Sequence, residues 1–250
     1  MAESRCMQLL ISPTNLGEAK LVADAGCPIV DIKNVDEGSL GAQPVSVIRQ
    51  VIAAVGSSDA RVSVAIGDLP CLPGTVSLAA HGAATLGPDF IKAGLRGATG
   101  AVDARAMIQA MVQSVHDVDQ RIITVASGYA DFKRFDGLHW QDLLEAASKT
   151  SVNVVMLDTL IKDGQTLFDA MSMSDLHRFT DMAHDAGLKV ALAGSISMEH
   201  LDRLCEINPD ILGMRGGVCH QSDRTQGICS QRLTQLINTL QHQPTVHTGA

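Results

Sequence analysis

The chain has 250 residues, a formal net charge of −8, 46% hydrophobic and only 3% aromatic residues. This is the usual length of one (β/α)8 domain, and a core built on Ala, Val, Ile, Leu and Met suits helices lying on a parallel sheet better than an all-β sandwich. The acidic balance and the lack of any Lys/Arg run exclude a nucleic-acid grip, although local groups can still hold an anionic substrate. The six cysteines form no CxxC pair, which argues against a thiolate metal site and predicts reduced thiols in a cytoplasmic protein. No long apolar run stands at the N-terminus or elsewhere, so neither a signal peptide nor a membrane span is expected.

Short β-branched runs alternate with helical patterns along the whole chain. Strands are predicted over 7–12, 29–34, 61–68, 90–95, 121–128, 152–159, 189–195 and 210–217. Many are nearly continuous apolar runs, as in strands covered on both faces. Helices are predicted over 15–25, 45–55, 75–86, 104–118, 140–149, 175–186, 198–207 and 231–240. The first opens on an Asn15/Glu18 capping pair, and Gly26, Gly56, Gly87 and Gly187 stand where helix C-caps belong. Eight βα units without a linker predict one closed (β/α)8 TIM barrel over 1–250, with a core over 6–241 and a flexible tail over 242–250. An open doubly wound sheet is the alternative. The sequence is compatible with a homo-oligomer.

In a barrel of this kind chemistry gathers where strands end, so charged residues at those places carry the functional reading. Asp31 and Lys33 are two apart on the second strand and therefore share the inner face, while Val30 and Ile32 point to the helices. A lysine inside the barrel is desolvated, its pKa falls, and its neutral amine can attack a carbonyl. The plain alternative is a structural Asp–Lys ion pair, or a frayed strand end with Lys33 in solvent. Lys92 is a charge inside the apolar fourth strand; it is a candidate proton acceptor and donor, or a phosphate ligand. Asp158 ends the sixth strand, where it can orient an amine, and Lys162 lies in the loop above it. Tyr129, the single tyrosine, stands at the mouth as either a donor to substrate or a packed anchor. Gly194-Ser195 and Gly216-Gly217 follow the last two strands, where barrels commonly cradle a phosphate on backbone N–H groups. Arg215 either adds a contact there or pairs with a neighbouring Asp. No histidine falls in a strand interior, and no GxGxxG follows the first strand. Neither a metal nor a cofactor is expected.

Three segments carry a resemblance: Leu10-Ile11-Ser12-Pro13, Asp31-Ile32-Lys33-Asn34 with Glu37-Gly38-Ser39-Leu40-Gly41-Ala42, and Leu157-Asp158-Thr159 with Lys162-Asp163-Gly164. Together they resemble the (5-formylfuran-3-yl)methyl phosphate synthase family, also called 4-(hydroxymethyl)-2-furancarboxaldehyde-phosphate synthase, of methanofuran biosynthesis. The block from Asp31 to Ala42 is the most specific part, and the likeness runs from the first strand to the eighth. It implies an aldolase-like lyase that condenses two glyceraldehyde 3-phosphate molecules, losing one phosphate and water. It implies that Lys33 forms the Schiff base, that Lys92 transfers protons, and that Asp31, Asp158 and Lys162 belong to the active site. Lys20 on the first helix matches a further lysine of the family, and two such substrates need a second anion site, which Lys162 or Lys20 could supply. The partner so implied is a small phosphorylated aldehyde. Two other readings share these features in part: another Schiff-base aldolase acting on a small sugar phosphate, and a non-catalytic sugar-phosphate-binding barrel.

Overall fold

A computed structural model of the chain describes residues 7–241; the expected tail over 242–250, and Cys6, lie outside this range. Eight parallel strands close in sequence order into a barrel: β1 (Gln8–Ile11), β2 (Ile29–Ile32), β3 (Arg61–Asp68), β4 (Phe90–Gly94), β5 (Ile123–Tyr129), β6 (Val154–Asp158), β7 (Lys189–Leu192) and β8 (Ile211–Met214). Closure is made by β1 on β8, with Gln8 opposite Ile211 and Ile11 opposite Met214. This is a TIM barrel, and the open-sheet alternative falls with that pairing.

The strand alternation explains two separate apolar clusters. Leu10, Ile29, Phe90, Val125, Val154 and Ile211 are among the side chains that fill the barrel interior. Val30, Ile32, Ile91, Val155 and Leu212 point outward and pack under the helices. Both faces of each strand are thereby buried, which is why the strands read as continuous apolar runs.

The helices are α1 (Leu16–Asp24), α2 (Val45–Val55), α3 (Pro73–Ala84), α4 (Ala101–His116), α5 (Trp140–Ala147), α6 (Leu167–Ala170), α7 (Met173–Asp185), α8 (Leu201–Ile207) and α9 (Ser230–Gln241). The short α6 has no counterpart in the sequence reading, because one turn is too brief to show a period. Its start is fixed by a capping box between Thr166 and Asp169. The helix expected over 198–207 is a 3-10 turn (Met198–His200) followed by α8. Gly26, Gly87 and Gly187 take left-handed φ of 79°, 74° and 76° just past their helices, as expected, whereas Gly56 caps α2 at φ −61° and needs no such freedom. Asn15 caps α1 by accepting from the Glu18 N–H at 2.9 Å. The reciprocal half of that capping pair is absent: the Glu18 carboxylate turns instead to Thr14, Arg215 and the Ile228 N–H.

Strand ends differ from expectation mainly at turns. β7 stops at Leu192 because Gly194 (φ 115°) and Ser195 (φ 50°) leave extended geometry. β8 stops at Met214, and Gly216–Val218 forms a 3-10 turn. β5 starts two residues late, since the Arg121 N–H and guanidinium are held by Asp119 in the preceding turn. No helix among the described residues is long and apolar enough to cross a membrane.

Candidate active site

A cavity of about 330 Å³ opens at the carboxyl ends of the strands, within the size range of small-molecule sites. Asp31, Lys33, Asp158, Lys162, Gly194, Ser195, Gly216 and Gly217 all line it, so the fold brings together eight of the residues singled out from the sequence. Lys92 is buried and does not line the cavity, but touches Asp31, which does. Lys20 is exposed on α1, whose buried face is Ala19, Val22 and Ala23, and the structure does not bring it to the cavity.

The site is built from two carboxylates, each with short contacts to one lysine. Asp31, fully buried on β2, lies 2.6 Å through Oδ1 from the Lys92 Nζ of β4 and accepts from the Ser12 hydroxyl through Oδ2 at 2.9 Å. Burial pushes its carboxyl upward, but the Lys92 and Lys33 charges outweigh that and hold it below the usual carboxylate range. Asp158 ends β6. Its Oδ1 accepts from Lys162 Nζ at 2.7 Å and from the Thr159 N–H at 2.7 Å, while Oδ2 accepts from the Ser39 hydroxyl at 3.0 Å. Burial again pushes upward, and Lys162, then Lys33, hold this carboxyl far below its ordinary value.

Lys33 is different. It is 7% exposed, and its Nζ lies 3.9 Å from Asp158 Oδ2 with no shorter ion pair. Desolvation lowers its pKa most. Asp158 and Asp31 oppose the fall, Lys92 and Lys162 assist it, and the balance is a pKa of about 8. Asp31 and Lys33 share the inner face as the alternation predicts, but the short Asp31 contact goes to Lys92 across the barrel. The plain alternative of an Asp31–Lys33 ion pair therefore does not describe the site.

The loop after β2 supports the centre. Ser39 donates to Asp158 and to the Thr159 carbonyl across the mouth, and is itself buried. The Leu40 N–H donates to Asp68 Oδ2 at 3.2 Å, and the Tyr129 hydroxyl donates to Asp68 Oδ1. Tyr129 is 1% exposed with its hydroxyl taken up by Asp68, an arrangement in keeping with the packed-anchor reading. Gly38 has φ 144°, and a Cβ there would strike the Asp68 carboxylate. The Glu-Gly-Ser-Leu-Gly-Ala block thus ties the ends of β2, β3, β5 and β6 together.

The β7 and β8 ends approach each other closely. A Cβ on Gly217 would stand 2.5 Å from Met214 Sδ and 2.8 Å from the Ile196 carbonyl oxygen. Arg215 neither lines up with an Asp nor offers a free guanidinium: it donates to Ser12 O at 2.7 Å, Glu18 at 2.9 Å and Arg224 O at 3.0 Å. Sequence reasoning missed Ser12, Ser39, Glu18 and Arg224. Ser39 lies inside the most specific sequence block, Ser12 inside the first resemblance segment, and Glu18 inside the capping pair, where its spacing gives it another role; Arg224 carries no local signal. Among the described residues no group of three or more His, Cys, Asp or Glu side chains is placed to hold a metal ion, and Cys27, Cys71, Cys219 and Cys229 are free thiols.

A closed barrel with buried carboxylate–lysine contacts at the carboxyl ends of its strands gives this chain the layout of a (β/α)8-barrel enzyme. Comparison with known proteins sharpens that class. The sequence pattern of the family described as 4-HFC-P synthase matches residues 9–237. The (5-formylfuran-3-yl)methyl phosphate synthase of Archaeoglobus fulgidus is 42% identical over 234 residues, 94% of this chain and 99% of that protein. The protein of the same name from Methanocaldococcus jannaschii is 44% identical over 234 residues, with the same coverage. The chain belongs to this family. Among solved structures it is similar to 3-hexulose-6-phosphate synthase from Salmonella typhimurium, with TM-score 0.60, 15% identity and coverage of 95% of this chain and 100% of that one. At that identity the likeness shows the fold alone.

Proposed function

We propose that the chain condenses two molecules of glyceraldehyde 3-phosphate into (5-formylfuran-3-yl)methyl phosphate through a Schiff base on Lys33, a lyase-type step of methanofuran biosynthesis. The formulae of substrates and product require the loss of one phosphate and two waters. The observation that carries the reading is Lys33 itself: the buried lysine of the cavity without a short ion pair, with a pKa pulled down to about 8. A neutral amine is available there near neutral pH, and attack on a substrate carbonyl gives an iminium as water leaves. Loss of a proton from the neighbouring carbon then gives an enamine, which can attack the carbonyl of the second triose phosphate. Asp158 and Asp31 stabilise the iminium charge as it forms, while Lys162 and Ser39 hold Asp158 in place.

Lys92 is the assigned proton acceptor and donor, working next to Asp31. Lys92→Arg keeps a charge but removes a titratable base. Turnover is expected to fall by roughly 10²-fold or more, the range of general acid–base catalysis. Thermal melting separates this from overpacking. Near wild-type turnover would assign Lys92 to charge balance alone. The Gly194-Ser195 and Gly216-Gly217 turns are the proposed phosphate cradle, and the family names, all of a phosphate product, support it.

The direct test is incubation with glyceraldehyde 3-phosphate alone, with products identified by mass spectrometry and NMR. A furan aldehyde phosphate and released inorganic phosphate are expected. A simple aldol bisphosphate, or unchanged substrate, would contradict the proposal.

A further inference from the structure

Charge balance in the cavity leaves a gap. When Lys33 is neutral for attack, the Lys92 and Lys162 ammoniums and the Asp31 and Asp158 carboxylates cancel, and Glu199, which also lines the cavity, adds a further carboxylate at the mouth. A phosphate dianion entering the mouth would then meet backbone N–H groups and no net positive charge. Of the Lys and Arg side chains lining the cavity, Lys33 and Lys162 face Asp158, and Arg215 is paired with Glu18. Arg224 is the remaining one, and among the described residues its guanidinium has no ion-pair or hydrogen-bond partner. We propose that Arg224 is the guanidinium that holds the substrate phosphate at the β7–β8 mouth, positioned there by a Glu18–Arg215 clasp.

The local geometry is that of a built arm. Residues 219–228 form a hairpin-like loop: Cys219 bridges Ile228 in antiparallel fashion, and the His220 N–H donates to the Gly227 carbonyl at 3.0 Å. Gln221 (φ 55°) and Ser222 (φ 59°) turn the chain sharply before Arg224. The stem of Arg224 lies over Gly216, where a Cβ would meet the Arg224 Cβ at 3.7 Å. The half-buried side chain is thus rooted beside the cradle.

The arm is held from below and behind. Arg215 is 8% exposed and spends its donors on structure: Ser12 O, Glu18 and Thr14 Oγ1 on the α1 side, and the carbonyls of Arg224 and Gln226 on the loop side. Glu18 completes the clasp by accepting from the Ile228 N–H at 3.2 Å. From α9 (Ser230–Gln241), Arg232 donates to Ser222 Oγ at 2.7 Å and to the Gly217 carbonyl at 3.2 Å. Asp223 accepts from the Thr225 N–H and hydroxyl, closing the tip. Such pre-organisation lowers the entropy cost of fixing a long side chain on an anion. Burial draws the Arg224 pKa down from its usual range, with Asp158 opposing and Arg215 assisting, so the guanidinium is already partly desolvated and sensitive to charge in the mouth. A planar guanidinium suits bidentate contact with a phosphate monoester.

The inference rests on the reading of this cavity as a triose-phosphate site, and its test is separable from that reading. Inorganic phosphate is titrated into wild type, Arg224→Gln, Arg224→Ala and Arg224→Lys by calorimetry, each checked for unchanged melting. The dissociation constant is expected to rise at least about tenfold in R224Q and R224A and less in R224K, the loss of a charge-assisted pair. If R224A is poorly folded, R224Q, which keeps a planar amide, carries the comparison. Kinetics supply the second arm. With glyceraldehyde 3-phosphate, KM should rise by a similar factor, while any reaction with unphosphorylated glyceraldehyde stays as in wild type. Equal phosphate affinity in wild type and R224Q, or undetectable binding in both, would overturn the assignment. So would an equal loss with both aldehydes, which would mark a structural role. Failure to make the furan product would instead count against the proposed reaction, because phosphate affinity is measured without turnover.

Discussion

Lys33→Ala is expected to abolish product formation, with a rate loss of about 10⁴-fold or more, because no other amine in the mouth can take over covalent catalysis. Lys92 and Lys162 are each in short contact with a carboxylate, at 2.6 Å and 2.7 Å. The loss should come without unfolding. Both Asp31 and Asp158 keep their short partner when Lys33 is removed. Lys33 itself works against the fold while charged: its folded pKa, about 8, lies below the unfolded value of 10.5. For a lysine shifted this way, the unfavourable contribution is fully present below pH 8. It fades as pH rises from about 8 to 10.5, where the unfolded chain binds more protons. At pH 7, removing the amine therefore relieves a net electrostatic cost on the order of 3 kcal/mol, set against the cavity left by the missing methylenes. Melting near or above the wild-type temperature with activity gone is the expected outcome. Retained turnover would rule Lys33 out as nucleophile.

Asp158→Asn is expected to lower kcat/KM by roughly 10²–10³-fold, since a buried carboxylate beside the developing iminium supplies electrostatic stabilisation of that order. The Asn oxygen can still accept from the Thr159 N–H, and its amide can donate to the Ser39 hydroxyl, which keeps its own bond to the Thr159 carbonyl, so the loop after β2 keeps its tie. What it cannot do is balance the Lys33 and Lys162 charges. Stability should fall by a few kcal/mol, below the roughly 3–5 kcal/mol of a fully buried broken pair, because the Lys162 side chain is 19% exposed and can swing to water. The pH profile gives a sharper readout. In wild type, kcat/KM should fall as pH drops below about 8, where Lys33 takes a proton. Asp158 is the foremost influence holding that pKa up, ahead of Asp31. Its loss should move the acid limb to lower pH. An unmoved limb would mean that another group controls the profile.

Much of this site is legible in the sequence for a simple reason: strand alternation is a strict rule. Ile29 to Lys33 must put Asp31 and Lys33 on one face, and continuous apolar runs say that this face is enclosed. The same reasoning places Lys92 and Asp158, each a charge within an apolar strand. Gly194 and Gly217 announce close approach at the last two strand ends. The remainder depends on contacts far apart in the chain. Ser39 reaches Asp158 across 119 residues and Arg215 meets Glu18 across 197, and no local pattern encodes either. Glu18 reads as half of a capping box because its spacing to Asn15 is right; a buried arginine at hydrogen-bond distance wins the carboxylate. Lys20 sits beside it but on the outer face of α1. Arg224 stands in a polar loop that would pass for solvated surface until the clasp beneath it is seen.

Borohydride trapping during turnover tests the central claim most directly. With glyceraldehyde 3-phosphate present, reduction should fix substrate-derived mass on one peptide, and fragmentation should place it on the Lys33 side chain. The same treatment without substrate should leave that peptide unchanged. Mass on Lys92 or Lys162 in place of Lys33, or turnover that survives borohydride with no adduct at all, would contradict a Schiff base at this position.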